Sequence, residues 1–389
     1  MKNIFVTFIF ATILGAGVTA FAGERARDLG MIIGDFSPGT LDAITDVAGV
    51  RVGQVTLNWG SGPLVVGQGP VRTGVTVIIP ADGDILANKL FAGSYVFSGN
   101  GEATGLMYLN ERGVLENPIA LTNTQSIGAV NRGLMDVMLL THPNMEAVTP
   151  MVLECDDSAL NDINGQHVEP KHVMWAYNAA TQKVDEGNVG AGTGMESFDF
   201  KSGIGTASRL VPIGGKTYTI GVLLNSNLGA GIRRFLRMDG VPVGTEITDL
   251  LPIYPRPAEP GAGSTVVVVA TDAPLDSRQL SRVAKRAMDG VIRVGSNGLD
   301  DSGELAVAFS SGNRVPESPT DPLMTFKMLS DPSTDSLFEA VGDAAEEAFI
   351  NSMLAATDMA GADGHTFYGI PHDRLKQVLT KYNVTKKGP

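Results

Sequence analysis

A single cysteine, Cys155, rules out an internal disulfide, so the fold must stand on its hydrophobic core. No catalytic-cysteine signature surrounds it, and a small buried hydrophobe is the ordinary reading of such a residue. Cationic charge is also scarce. Against 42 Asp and Glu the chain carries 29 Lys and Arg, a formal net charge of −13, and it has no basic run interleaved with aromatics. That balance excludes the electrostatic footprint of a nucleic-acid binder or of a protein held on an anionic membrane, while it suits a cationic or amine-bearing substrate. The histidines, His142, His167, His172, His365 and His372, contain no H-E-x-x-H pattern. His167 and His172 flank Glu169 without a further ligand set, so neither a metal nor another cofactor is expected. Gly190-x-Gly192-x-Gly194 lacks the spacing of a dinucleotide loop. No Gly-x-Ser-x-Gly elbow points to an α/β-hydrolase, and no fixed-period repeat is present.

Long apolar runs are missing too, except at the start. Lys2 precedes an apolar stretch from Ile4 to about Val18, followed by the small-x-small pattern Ala20-Phe21-Ala22. That is the architecture of a secretory signal peptide over residues 1–22, and it implies a periplasmic or secreted protein. The rival reading, a membrane anchor, suffers from the short apolar segment and the good cleavage site. No later segment approaches ~18 consecutive apolar residues, so no membrane partner is expected once the leader is removed.

What the chain does have is an alternation of strand-like and helix-like segments, typical of an α/β protein. Residues 74–80, 118–122, 218–224 and 305–309 read as strands. Ser264 to Ala270, with Val266-Val267-Val268-Val269, reads as a strand buried on both faces. From Asp276 to Val294, apolar residues at 280, 283, 284, 287, 291 and 294 predict an amphipathic helix, capped by Asp276 or Ser277 and ended by Gly295. Thr334 to Ala356 predicts another, with a stripe of Leu337, Val341, Ala344, Ala345, Phe349 and Ile350.

Between these elements the texture breaks once. Residues 251–263, LPIYPRPAEPGAG, hold four prolines and two further breakers in glycine, and they read as an exposed connector feeding directly into the valine strand. Its end, Gly263-Ser264-Thr265, allows two readings. One is a plain glycine turn before a strand. The other is an autoproteolytic junction, in which the Ser264 hydroxyl attacks the Gly263 carbonyl and an ester forms for water to release. The freed serine would then carry an α-amino group, whose pKa of about 7.7–8.0 suits it as base for its own hydroxyl. Three stretches favour the second reading. Asp300-Asp301-Ser302-Gly303-Glu304 puts a hydroxyl and a carboxylate two residues apart in a tight loop. Asn225-Ser226-Asn227 follows a buried strand, and Glu154 follows a short apolar stretch.

Taken together, these motifs resemble the self-processing β-aminopeptidases and L-aminopeptidase/D-amidase-esterases, the DmpA-like serine aminopeptidases of peptidase family S58. The resemblance extends over nearly the whole mature chain. It includes Gly99-Asn100-Gly101-Glu102, Leu121-Thr122-Asn123-Thr124, Leu160-Asn161-Asp162-Ile163-Asn164, Gly190 to Gly194, Gly203 to Arg209, Ala270 to Leu275, His365-Thr366 and Pro371-His372.

The resemblance implies a four-layer α-β-β-α sandwich of the DmpA and ornithine-acetyltransferase type, similar to N-terminal-nucleophile hydrolases. It implies a large subunit, residues 23–263, and a small one, 264–389, forming one structural domain, with tetramers of such pairs. It assigns Ser264 as nucleophile and new N-terminus, Ser302 and Glu304 as its supports, Asn227 to the oxyanion hole and Glu154 to the substrate's amino group. The implied reaction is hydrolysis of β-, D- or small L-amino acids from the N-termini of peptides, amides or esters. Rival readings are a self-cleaving acyltransferase, in which an amine resolves the acyl-enzyme, and a processed envelope binding protein without turnover. One position departs from the family. Where a tyrosine often helps the oxyanion, this chain has Asp156, which as a carboxylate cannot donate a hydrogen bond. Asp156 would then either slow the reaction or join Glu154 in binding the substrate amine.

Overall fold

The computed structural model describes residues 24–255 and 263–384. The leader, residues 1–22, and most of the connector lie outside them, as do the last five residues. In chain order the strands of the first half are β1 (Arg51–Trp59), β2 (Val71–Ile79), β3 (Asn88–Gly99), β4 (Ala103–Thr104), β5 (Val114–Leu115), β6 (Ile119–Asn123) and β7 (Met151–Cys155). A two-residue hairpin of β8 (Glu196–Ser197) and β9 (Phe200–Lys201) follows, then β10 (Ile204–Ile213), β11 (Lys216–Asn227), β12 (Ser264–Thr271), β13 (Gly303–Pro316), and a last hairpin of β14 (Met359–Ala360) and β15 (Thr366–Phe367). The helices are α1 (Leu106–Arg112), α2 (Ile127–Thr141), α3 (Pro170–Asn178), α4 (Val243–Glu246), α5 (Ser277–Val294), α6 (Asp335–Leu354) and α7 (His372–Lys381).

Two sheets result, one in the order β1-β2-β6-β7-β4 and the other in the order β10-β11-β12-β13-β3-β5. Their facing sides form one apolar layer, in which Ile78, Leu121 and Leu153 of the first sheet meet Leu223, Val266, Val268 and Val307 of the second. Outside the first sheet, Val130 and Leu134 of α2 and Val173 of α3 pack on Val75, Val77 and Val152. Outside the second, α5 and α6 cover Val222, Val267, Val269 and Ala306. This is the expected four-layer α-β-β-α sandwich.

The valine run shows why. Alternate residues of a strand face opposite sides, so Val266 and Val268 face the sheet–sheet layer and Val267 and Val269 face the helices. Burying each is worth about 1.5–3 kcal/mol relative to leaving it exposed. The α5 boundaries also follow the sequence. The Asp276 carboxylate accepts the Gln279 N–H at 2.7 Å, closing a capping box, and Gly295 ends the helix at φ +129°.

α6 differs from its predicted stripe. Every residue from Ala340 to Leu354 is buried. Its polar side is covered by the segment beginning at Glu24. Arg27 and Arg209 both pair with Glu347, and the Ala26 N–H donates to Asn351 Oδ1. Glu347 and Asn351 are thus satisfied by protein partners, which periodicity alone does not reveal.

Candidate active site

β12 is an inner strand, and Ser264 is its first residue. On one side it is registered with Asn227, the last residue of antiparallel β11. On the other it is registered with Gly303, the first residue of parallel β13. Three strand ends thus meet at one point, where backbone pairing stops and side chains are free to converge.

From the β11 side, Asn227 Nδ2 donates to Ser264 Oγ at 3.1 Å and to the Asp156 carbonyl at 2.7 Å. The Glu196 N–H donates to Asn227 Oδ1 at 3.0 Å. Because a backbone N–H can only donate, this contact fixes which end of the amide faces Ser264. From the β13 side, the Gly303 N–H donates to the Gly263 carbonyl at 2.8 Å, and Ser302 Oγ lies 3.2 Å from the same oxygen. Ser302 Oγ is also 2.6 Å from Glu304 Oε1, and the Ser296 hydroxyl donates to Glu304 Oε2 at 2.6 Å. A single hydroxyl proton serves one acceptor at a time, so Ser302 can exchange it between Glu304 and the carbonyl. Burial pushes the Glu304 carboxyl above the usual carboxylate range, and the two serine hydroxyls pull it back.

Gly263 is required here for space rather than for a left-handed φ. A Cβ at this position would come within 2.7 Å of the Leu228 backbone, a distance no side chain tolerates. The glycine lets the chain enter between β11 and β13 with its carbonyl facing Ser302 and Gly303.

A cavity of about 230 Å³ opens over Ser264, and its charged lining residues are Glu154, Asp156 and Asp301. Among the described residues the lining contains no lysine, arginine or histidine, and this favours a cation. Glu154 lies within β7 rather than after it. It is buried, and its carboxylate accepts from the Glu102 N–H at 3.0 Å and from the Thr124 hydroxyl. Burial raises its pKa, opposed by these two donors. A Cβ on Gly101 would stand 2.9 Å from Glu154 Oε1, so that glycine keeps the carboxylate approachable. Asp156 is exposed, and its Oδ1 accepts the Ser158 N–H at 2.7 Å.

Of the residues singled out from sequence, Ser264, Asn227, Glu154 and Asp156 line this cavity with Gly263, whereas Ser302 and Glu304 line a small pocket on the other side of Gly263 and Ser302 reaches its carbonyl from there. Sequence reasoning missed Ser296, which follows α5 in an unremarkable polar turn, and the backbone donors of Glu196 and Gly303. It gave no role to Thr124 or Glu102, although both fell inside quoted motifs. Cys155 is fully buried beside the site, with its thiol 3.6 Å from the Asn225 carbonyl and its pKa pushed up by burial. A thiol so placed is a poor source of thiolate. Among the described residues, no group of three or more His, Cys, Asp or Glu side chains is arranged to hold a metal ion.

Comparison with known proteins places this geometry. The model of peptidase family S58 matches residues 42–367. The β-peptidyl aminopeptidase BapA of Sphingosinicella microcystinivorans is 42% identical over 385 residues, covering 96% of each chain. The structure of a Burkholderia sp. β-aminopeptidase superposes with a TM-score of 0.84 at 41% identity, covering 92% of this chain and 99% of that one. The L-aminopeptidase D-Ala-esterase/amidase of Ochrobactrum anthropi, described as a variant of the Ntn-hydrolase fold, gives a TM-score of 0.85 at 37% identity, covering 92% and 98%. The chain belongs to peptidase family S58 and is a serine-type aminopeptidase.

Proposed function

We propose that this aminopeptidase is exported, cuts itself between Gly263 and Ser264, and then removes N-terminal residues, β-amino acids among them, through an acyl-enzyme on Ser264. The observation that carries the reading is the grip on the Gly263–Ser264 peptide. Its carbonyl oxygen is held by the Gly303 N–H beside Ser302, while the Ser264 hydroxyl is held by Asn227. Donors aimed at a carbonyl oxygen stabilise the negative charge that develops there when its carbon is attacked.

In self-cleavage, Ser264 Oγ forms a bond to the Gly263 carbonyl carbon, its hydroxyl proton passes to the Ser264 nitrogen and the C–N bond breaks, leaving an ester and a free α-amine on Ser264. Water then cleaves the ester, so Gly263 ends in a carboxylate. β12 keeps the two pieces together, since every one of its residues pairs with β11 of the first piece and β13 of the second. In turnover, the substrate's ammonium pairs with Glu154. The Ser264 α-amine takes the hydroxyl proton as Oγ attacks the acyl carbonyl, and Asn227 Nδ2 supports the oxyanion. The amine leaves with the proton, and water releases the acyl group by the reverse sequence. The preference for β-amino acids is taken from the relatives named above. Export rests on the leader at residues 1–22, and assembly into an oligomer of processed pairs is the expectation from the family.

Intact mass and N-terminal sequencing of the purified protein test this, with Ser264→Ala alongside. Two fragments are expected, the smaller starting Ser-Thr-Val-Val. The variant should remain one chain and lose turnover of an amino-acid anilide by a factor on the order of 10⁶. A wild type that stays whole would remove the α-amine base and the reading with it.

A further inference from the structure

Lys201 is a buried cation near the site that the reaction does not use. It is fully buried, and its ammonium donates to the carbonyls of Gly192, Met195 and Ser202. Burial lowers its pKa to about 7, while Glu196 and Asp157 pull it upward. Three carbonyl acceptors, one for each N–H, are what an ammonium needs, and a neutral amine has no use for the third.

Those carbonyls belong to the backbone that leads into and out of the β8–β9 hairpin. Glu196 and Lys201 are paired across it, and Ser197 pairs with Phe200, leaving Phe198 and Asp199 as a two-residue turn. Both turn residues are left-handed, with φ of 52° and 65°. Such a turn normally carries Asn or Gly, and a left-handed phenylalanine is strained. Strain of this kind persists only where the surroundings over-determine it. Phe198 is buried against Phe349, and Arg233 donates to the Asp199 carbonyl at 2.7 Å while lying over the Phe200 ring. The hairpin is tied to the end of β11 as well. Gly229 N–H donates to the Glu196 carbonyl, and Leu228 N–H donates to Ser197 Oγ. What this constrained hairpin presents to the site is the Glu196 N–H that orients Asn227.

We propose that Lys201 is a positioning residue for the reaction. It gathers the carbonyls of Gly192, Met195 and Ser202 so that the Glu196 N–H holds the Asn227 amide with Nδ2 toward the reacting carbonyl. The inference rests on Ser264 as nucleophile and Asn227 as oxyanion donor. Without the ammonium, the three carbonyls repel one another and the hairpin relaxes. Asn227 then loses its orientation, although the cavity and the Glu154 amine site keep their shape.

The test is a double-mutant cycle on kcat, with Lys201→Met, Asn227→Ala and the pair together, using a β-alanyl anilide. Lys201→Met is expected to lower kcat by about 10- to 100-fold, a part of the ~10²–10³ lost with a whole oxyanion donor. KM should move less than about threefold. Adding Lys201→Met to Asn227→Ala should lower kcat by no more than about twofold, since the amide it positions is already gone. Losses that multiply in the double variant, or a Lys201→Met effect confined to KM, would overturn the inference. If Lys201→Met does not fold, Lys201→Arg enters the same cycle, because a planar guanidinium keeps the charge yet cannot serve three converging carbonyls. No turnover by the wild type would overturn the hydrolase reading and this inference with it. Turnover with multiplying losses overturns this inference alone.

Discussion

The two strands flanking Ser264 equip it differently. From β11 comes one neutral amide, Asn227, which contacts the serine hydroxyl itself and is oriented from behind by a backbone N–H. From the β13 side come the ionisable Glu304 and, just before the strand, Ser302, whose hydroxyl addresses the carbonyl before the serine, while Ser296 from the turn after α5 holds the other carboxylate oxygen. The neutral side has fixed geometry and no pH dependence of its own. The charged side can move a proton, at the cost of a carboxylate buried against its preference. The two reactions proposed for this site, self-cleavage and turnover, divide along the same line. The Gly263 carbonyl lies toward β13, whereas under the proposed function a substrate carbonyl would enter from the cavity lined by Asn227, Glu154 and Asp156.

The largest expected effect that could break this comparison is in Asn227→Ala. Turnover should fall by about 10²–10³, the usual loss for one oxyanion donor, while the purified variant still arrives as two fragments. Gly263 keeps its Gly303 N–H and Ser302 contacts in that variant. Fragment analysis on a gel together with anilide kinetics decides it. A variant that stays as one chain would mean that the neutral side serves both reactions.

The same contrast governs what could be read from the chain. The β13 side is contiguous, with Ser302 and Glu304 two residues apart before an apolar run, and Ser264 is marked by a proline-rich connector on one side and four valines on the other. Asn227 was legible as a polar residue at a strand end. Its partners were not, because Glu196 and Asp156 come from 31 and 71 residues away and meet it only through sheet order. The same holds for Lys201, which lies in a strand of two residues with no periodicity to detect. The layers followed from the resemblance, and the alternation of elements only permitted them. The burial of α6 on all sides did not, since Glu347 and Asn351 look like surface residues until Arg27, Arg209 and the Ala26 N–H are placed against them.

Glu304→Gln sharpens the charged side of the comparison. An ionised Glu304 accepts from both Ser296 and Ser302, and protonation turns one of its oxygens into a donor and breaks one of those contacts. Burial raises its pKa, so as pH falls the wild type should lose kcat through a step above the usual carboxylate range. A second step, set by the Ser264 α-amine at about 7.7–8.0, should lie above it. In Glu304→Gln the upper step should remain and the lower one vanish. The plateau rate should be roughly tenfold lower, the size of one charge-assisted hydrogen bond replaced by a neutral one, and self-cleavage should be slowed as well. A pH profile measured on the cleaved fraction of each protein separates the steps. A lower step that survives in the variant assigns it elsewhere, with Glu154 the first alternative.

The smallest expected effect concerns Asp156, the exposed carboxylate in the same cavity as buried Glu154. Among the described residues its side chain is hydrogen-bonded only to the Ser158 N–H, whereas its backbone carbonyl holds Asn227. Replacing the side chain therefore leaves the neutral side of the site in place and changes only the field at the amine site. Exposed charges act through high dielectric and are screened by salt. Asp156→Asn should raise KM for a free-amine substrate about two- to threefold at low ionic strength, with little change in kcat, and the difference should close as salt is added. Asp156→Tyr separates charge from donation. If only the carboxylate charge matters, it should match Asp156→Asn, whereas a rise in kcat would show that its hydroxyl reaches the oxyanion and that the wild-type site runs with one donor fewer than the fold can hold. Unchanged KM and kcat in both variants would mean that Glu154 alone recognises the amine and that Asp156 serves the site through its backbone only.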